Sequence, residues 1–411
     1  MKQIKRGVFF LTICVQAVLW STYPIYTYAQ PGIKGNPELT VQRLCGQCHA
    51  LKVAGDCLAG NCEGPNRVIQ VIQPPPWDFV LDNMLNKGAT ISKKEQQEIL
   101  AFLKKNYPAK RYPLSWKKIG ALTHTDGWNI TSLRAYKGML YAGFEGNGKI
   151  FRSGDGIRWV EVASTNSEAV YGITPFQGLL YAGIAEPTPQ IWHSKNGLQW
   201  QPGATLPVED AGVYSTGVFK DQLYVGTGRS WIYRSSDGQK WEKVAALKGD
   251  VPAIFWNWVR FLIPFKGYLY AGIEQGPLYR SADGAAWTEI KSEVGGGNGV
   301  RGAAVFKNAL YVGATSGGDI WKTEDGQTWQ HVLKAPNDSP GYVASMTVAG
   351  KYLFATINGY IYRSPDGLAW EEVAYFGFRS MEDMTFWRNM LYVGVAVSPD
   401  AYIYRAYPSN K

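Results

Sequence analysis

The stretch LYAGFEGNGKIFRSGDGIRW, residues 140–159, decides how most of the chain is read. Its first half, LYAG, is a short apolar run rich in strand-forming residues, and its second half, SGDGIRW, carries turn chemistry between Ser153 and Trp159. Both halves recur. The first returns as LYAG at 180 and 269, LYVG at 223, 310 and 391, and LFAT at 353, spaced 38 to 46 residues apart. The second returns as SKNGLQW (194), SSDGQKW (235), SADGAAW (281), TEDGQTW (323) and SPDGLAW (364). A unit of about 40 residues holding several short strands cannot bury both its faces alone, so neighbouring units must cover it.

This period predicts the blades of a β-propeller over residues 113–411. The turn half resembles the Asp box of sialidase-type (BNR) propellers, S/T-x-D-x-G-x-x-W, in a shorter form lacking the residue between Asp and Gly. Asp would accept backbone N–H bonds within a hairpin, Gly would take the positive φ, and Trp would pack back onto the sheet. Asn196 stands for Asp in the second unit and can cap the same turn. The resemblance makes these boxes scaffold elements, away from any catalytic face.

The seventh unit ends at YIYRA without a Trp strand. Five of the six box tryptophans open a strand of the form W-x-x-V/I, as in WVEV, WEKV, WTEI, WQHV and WEEV, and WKKI, residues 116–119, matches it upstream of the first full unit. Trp116 to Ile119 is therefore expected to close a seven-bladed ring, which removes exposed sheet edges.

Ten places before each Leu of the repeat lies a near-constant apolar residue: Ile130, Val170, Val213, Val259, Val300, Val343 and Met381. The next position varies: Thr131, Tyr171, Tyr214, Arg260, Arg301, Ala344 and Glu382. This variable ring starts the innermost strands, so Tyr171, Tyr214, Arg260, Arg301 and Glu382 are candidates for a partner or substrate face. The segment VPAIFWNWVR (251–260) adds Phe255, Trp256 and Trp258, either as a contact surface or as packing against the N-terminal segment of the chain.

Upstream the chemistry changes. Lys2, Lys5 and Arg6 precede the apolar run GVFFLTICVQAVLW, and small residues lead to a cut before Gln30, so residues 1–29 read as an export signal. An uncleaved anchor is the alternative, opposed by the short run and by Gln16. No later stretch is apolar enough to span a membrane. The mature chain is expected to be periplasmic or otherwise extracytoplasmic, where disulfides persist.

CGQCHALKVAGDCLAGNC (45–62) then holds four of the five cysteines. Cys45-Gly46-Gln47-Cys48-His49 is the C-x-x-C-H pattern of covalent haem attachment: two thiols on one helical turn form thioethers, and the adjacent imidazole reaches the iron. A four-thiolate zinc site is the competing reading; the export signal, His49 and a downstream thioether oppose it. Met84 is the only methionine between Met1 and Met139, on an apolar face with Trp77, Val80, Leu81 and Leu85. It is expected to be the second axial ligand. Cys57 and Cys62 lack a following His and are expected to pair as a disulfide. TISKKEQQEILAFLKKNY (90–107) opens with a capping box, Ser92 to Glu95, and continues as an apolar stripe.

Residues 36–107 resemble a small class I cytochrome c, with the tail Trp77, Met84, Gly88, Ser92, Glu95 and Leu103. The resemblance implies an all-α domain carrying one haem c and transferring one electron at a time. The expected organisation is multidomain: signal peptide 1–29, cytochrome c domain 30–107, linker 108–112, and an all-β seven-bladed propeller over 113–411.

Residues 30–112 carry eleven Lys and Arg against seven Asp and Glu, a surplus that either steers an acidic redox partner protein or belongs to a solvated helix end and linker. Nucleic acid is not an expected partner, since no recognition module is present. Three functions compete for the propeller. It docks a redox partner for the cytochrome; it is a redox enzyme that binds a substrate or cofactor and passes electrons to the haem; or it is a glycosidase, which needs paired carboxylates that only Glu382 and Asp383 suggest.

Overall fold

The computed structural model describes residues 92–106, 112–121, 129–248, 257–290, 294–334, 341–376, 380–397 and 400–408. The chain divides into two units, residues 1–111 with 375–378, and residues 112–374 with 379–411.

In the first unit the described element is helix α1, Lys93–Asn106. Its start is the expected capping box: Ser92 N donates to Glu95 Oε2 at 2.8 Å, and Glu95 N donates to Ser92 Oγ at 3.2 Å. Lys104 and Lys105 sit in the last turn, where cations favour the helix dipole. Cys45, Cys48, His49, Cys57, Cys62, Trp77 and Met84 lie outside the described residues.

The second unit is a β-propeller. Its described strands form seven four-stranded antiparallel blades, at 129–164, 169–205, 213–246, 259–289, 300–333, 343–375, and 384–406 completed by Lys117–Ala121. Blades 1 and 2 are further joined by the single bridge Glu145↔Ala169. The first strand of each blade touches the first strand of the next, and the first strand of blade 7 touches that of blade 1, so the ring is closed. Strand Lys117–Ala121 lies antiparallel on Asp400–Ala406 with Ile119 opposite Ile403. The expected closing strand is thus present, one residue later at its start than the W-x-x-I match placed it. No helix among the described residues is long and apolar enough to cross a membrane.

The repeats explain the packing. In LYAG, Leu140 and Tyr141 are both buried, because each blade is covered on both faces by its neighbours. The box turn forms as expected. Asp155 Oδ1 accepts from Ile157 N and Arg158 N, both at 2.8 Å, and Ser153 Oγ accepts from Gly156 N at 2.8 Å. Asn196 Oδ1 does the same work, accepting from Leu198 N and Gln199 N at 2.9 Å. The box tryptophans pack, partly buried, against the blade cores, Trp159 and Trp370 among them.

The box glycine has a second task. At Gly284, φ is +79°, and an added Cβ would overlap the hydroxyl of Tyr224, the LY tyrosine of the preceding blade. Gly156, Gly197, Gly238, Gly326 and Gly367 meet Tyr392, Tyr141, Tyr181, Tyr270 and Tyr311 in the same way. Six boxes therefore use six tyrosines. Blade 7 has no box, since Asp400–Ala406 and Lys117–Ala121 are not joined by a hairpin, and the blade before it carries Phe354 in place of tyrosine.

Candidate functional site

The variable ring is positioned by a backbone irregularity. In five blades the pairing register shifts across the variable residue: Thr131, Tyr214, Arg260, Arg301 and Ala344 each fall in a bulge between the first two strands. A bulged residue leaves the ladder, and its side chain is re-aimed. Neighbouring positions thereby converge near the propeller axis.

Arg260, Arg301 and Glu382 come together with Glu274, which the ring positions alone did not reveal. Arg260 Nε donates to Glu274 Oε2, and Arg301 Nη1 donates to Glu274 Oε1 at 3.0 Å. Arg301 Nη2 donates to Glu382 Oε2. All four side chains are buried, between 7% and 9% exposed, so this is a closed, charge-balanced chain and not a free cationic patch. Tyr342 completes it: its hydroxyl donates to Glu382 Oε1 at 3.2 Å, and the Arg301 guanidinium lies 4.1 Å above its ring centre. Burial opposes the charge on Glu382, but Arg301 and Arg260 outweigh it and hold its carboxyl below the usual range. Burial likewise disfavours the charged Arg301, and Glu382 and Glu274 more than restore it. Burial pushes the Tyr342 hydroxyl up to about 12.

Asp383 points elsewhere. It accepts from Leu133 N of blade 1 at 2.7 Å and from Ser345 Oγ of blade 6 at 3.2 Å, stitching blade 7 to both neighbours. Glu382 and Asp383 are therefore engaged in separate networks.

Tyr171 and Tyr214 form the other half of the ring. Their ring centres are 5.0 Å apart, and Trp258 stacks on Tyr214 at 4.5 Å with an 8° tilt. The Arg260 guanidinium lies 4.6 Å from the centre of the Trp258 ring and so links the aromatic stack to the ion-pair chain. Both tyrosines are 6% exposed, and burial raises their hydroxyls well out of the working range. Phe255 and Trp256 lie outside the described residues. At the edge of this aromatic wall Asn129 Nδ2 donates to Glu145 Oε2 at 2.9 Å. Burial raises the Glu145 carboxyl above the usual carboxylate range.

By sequence the chain matches no protein-family model and no curated protein. By structure it is similar to virginiamycin B lyase from Staphylococcus aureus, solved as a catalytically inactive variant with quinupristin, at 14% identity and a TM-score of 0.61, over 72% of this chain and 99% of that one. It is also similar to YCF48 from Cyanidioschyzon merolae, at 14% identity and a TM-score of 0.55, over 72% and 99% of the two chains. YCF48 bound to D1 peptide gives 12% identity and a TM-score of 0.54, over 72% and 96%.

The likeness is one of fold. At such identities a shared propeller carries no chemistry with it, and the site must be read from its own residues. The missed members had a signal in the repeat. Glu274 stands five places after its Leu269, and Glu145 stands five places after Leu140. Asn129, Trp258, Tyr342 and Ser380 each stand just before the constant apolar residue. The arginines of the repeated YRS run make scaffold contacts: Arg280 Nη1 donates to Gly326 O at 2.7 Å in the next box, and Arg363 Nε donates to Glu371 Oε2 at 2.9 Å.

Proposed function

We propose that this protein is an exported c-type cytochrome that transfers single electrons, with its propeller serving as a docking scaffold for a redox partner. The observation that carries the reading is Cys45-Gly46-Gln47-Cys48-His49 behind an export signal. The donor set fits haem c: Cys45 and Cys48 would offer two thiols at thioether spacing, and His49 an imidazole and Met84 a thioether as iron ligands. Bound there, haem would supply a one-electron couple, and a thioether ligand would favour its ferrous form. Cys57 and Cys62 would close a small loop as a disulfide, which an extracytoplasmic location permits.

The chemistry of the ring speaks against catalysis on its arginines. Arg260 and Arg301 are engaged by Glu274 and Glu382, so neither offers an open charge to an anionic substrate or to the transition state of a glycosidase. Among the described residues no group of three His, Cys, Asp or Glu side chains is arranged to hold a metal. The basic surplus of residues 30–112 would draw an acidic partner.

The test is covalent retention. Co-expressed with a cytochrome c maturation system, the full chain should keep its haem stain through denaturing electrophoresis, and Cys45→Ala with Cys48→Ala should lose it. An unstained wild-type band, with the protein folded and the maturation system working on a control cytochrome, overturns the reading.

A further inference from the structure

Each blade turns twice at the box end of the propeller, once between its first and second strands and once at the box. Hydrogen bonds make the two turns neighbours: Lys220 Nζ donates to Ala282 O in the next box at 2.7 Å, and Arg388 Nη1 donates to Gly154 O at 2.8 Å. Blade 7 has no box, but Ala406 pairs with Leu391 as Ser153 pairs with Leu140, so Tyr407 leaves the sheet at the same end. Two features of this face fall on the same half of the ring.

The first feature is apolar. The residue after the box Gly is Ile157, Leu198 and Leu368 in blades 1, 2 and 6, but Gln239, Ala285 and Gln327 in blades 3, 4 and 5. The three aliphatic side chains and Tyr407 are 45% to 50% exposed. One exposed aliphatic residue is ordinary on a protein surface. Here blades 6, 7, 1 and 2, consecutive around the closed ring, each hold one out at the same end.

The second feature is charge. The turns and boxes of the same four blades hold Lys137, Arg158, Lys195, Lys351 and Arg388 against Asp155 and Asp366. Those of blades 3 to 5 hold four cations against five carboxylates. Two departures from the repeat make much of this difference. Asn196 caps its turn as Asp would, without the charge, and blade 7 has no box Asp at all. Arg388 keeps its charge uncompensated, because the Gly154 and Gly138 carbonyls accept its hydrogen bonds without supplying a negative charge.

We propose that the box face of blades 6, 7, 1 and 2 docks on an anionic lipid bilayer, with Ile157, Leu198, Leu368 and Tyr407 entering the interface and the cations meeting phosphate headgroups. A protein partner would call for a contiguous apolar core. Each apolar side chain here stands on its own turn, a blade apart from the next, with cations on the same and adjoining turns. A fluid interface takes such tips at any spacing, and its negative surface draws the basic side chains. The proposal does not depend on the haem reading.

Co-sedimentation of the full-length protein with vesicles provides the test, using equal parts phosphatidylglycerol and phosphatidylcholine, or phosphatidylcholine alone. The wild type should bind the anionic vesicles at least about tenfold more tightly than the neutral ones, and high salt should remove most of that difference. Residues 30–112 are basic as well, so substitutions on the propeller decide the matter. Ile157→Gln with Leu198→Gln puts at both turns the residue that blades 3 and 5 already hold there, which spares the fold; binding should fall about tenfold. Lys137→Gln with Lys195→Gln should weaken it about twentyfold. Lys240→Gln with Lys266→Gln, on blades 3 and 4, should change it less than about twofold. The proposal is overturned if all variants bind like the wild type, or if both kinds of vesicle bind alike. It is also overturned if the aliphatic tips prove to hold a wild-type dimer together, or if their loss weakens binding to polyglutamate as much as to vesicles, which would give the face to a second copy or to an acidic protein.

Discussion

Two glycines of one blade separate the strain of a left-handed backbone from the contact between blades. Gly267 and Gly284 both belong to blade 4, with φ of +80° and +79°. An added Cβ at Gly267 meets nothing within 4 Å, whereas one at Gly284 overlaps the Tyr224 hydroxyl and lies 2.5 Å from its Cζ. Alanine at either position carries the left-handed cost of about 1–2 kcal/mol, reduced by roughly 0.4–1 kcal/mol because the unfolded chain is stiffened. Gly267→Ala should therefore destabilise by about 1 kcal/mol. Gly284→Ala adds the overpacking of a fixed ring, about 1–3 kcal/mol more. Tyr224→Phe, which copies the natural Phe354, should return part of that second term and leave the first untouched. Urea denaturation followed by tryptophan fluorescence, with the four proteins compared at equal slope, measures each difference. Equal losses for Gly267→Ala and Gly284→Ala would refute the idea that the box glycine exists to admit the neighbouring tyrosine.

Glu274→Ala removes the carboxylate shared by Arg260 and Arg301 and should cost about 3–5 kcal/mol, read as a lower denaturation midpoint, because it strands a buried arginine. Asp210 is fully buried, and both its carboxylate oxygens lack a partner of ordinary hydrogen-bond geometry. Burial raises its carboxyl to about 6, only partly offset by Tyr233, Lys243 and Arg229. A carboxyl raised in the folded state costs nothing below the unfolded value of 3.8 and progressively more as pH climbs through 6. Asp210→Asn should accordingly match or trail the wild type near pH 4 and exceed it above pH 7 by about 1–3 kcal/mol in denaturation experiments. In the oxidised haem protein, Met84→Ala should erase the weak far-red sulfur-to-iron band and lower the reduction potential; a band that survives assigns the ligand elsewhere.

The propeller was legible because its information is local. Ser153, Asp155, Gly156 and Trp159 each act within one hairpin, so a single repeat predicts its own turn, and the substitution of Asn196 changes nothing in that logic. WKKI at 116–119 was legible for the same reason, as a fourth strand without its own turn. The ion-pair chain was only half legible. Arg260, Arg301 and Glu382 stood out as variable positions, but Glu274 joins them from the far end of a second strand, and its pairing to Arg301 exists only once blades 4 and 5 stack. The variable ring suggested a surface open to partners. The bulges instead turn those residues inward, where they satisfy one another. The haem reading rests on a motif outside the described residues.

Strand Lys117–Ala121 belongs to the seventh blade yet is made before the first. During synthesis it must wait while six complete blades form between it and Asp400–Ala406. Until then the growing protein is an open arc with an unpaired strand at one end, the state most exposed to wrong edge-to-edge pairing. The closing contact spans nearly the whole propeller, so it is also the slowest to find by chance. The clasp therefore acts as a checkpoint on length: a ring shuts only for a polypeptide translated to its last strand, and a prematurely terminated product keeps its sticky edge on display.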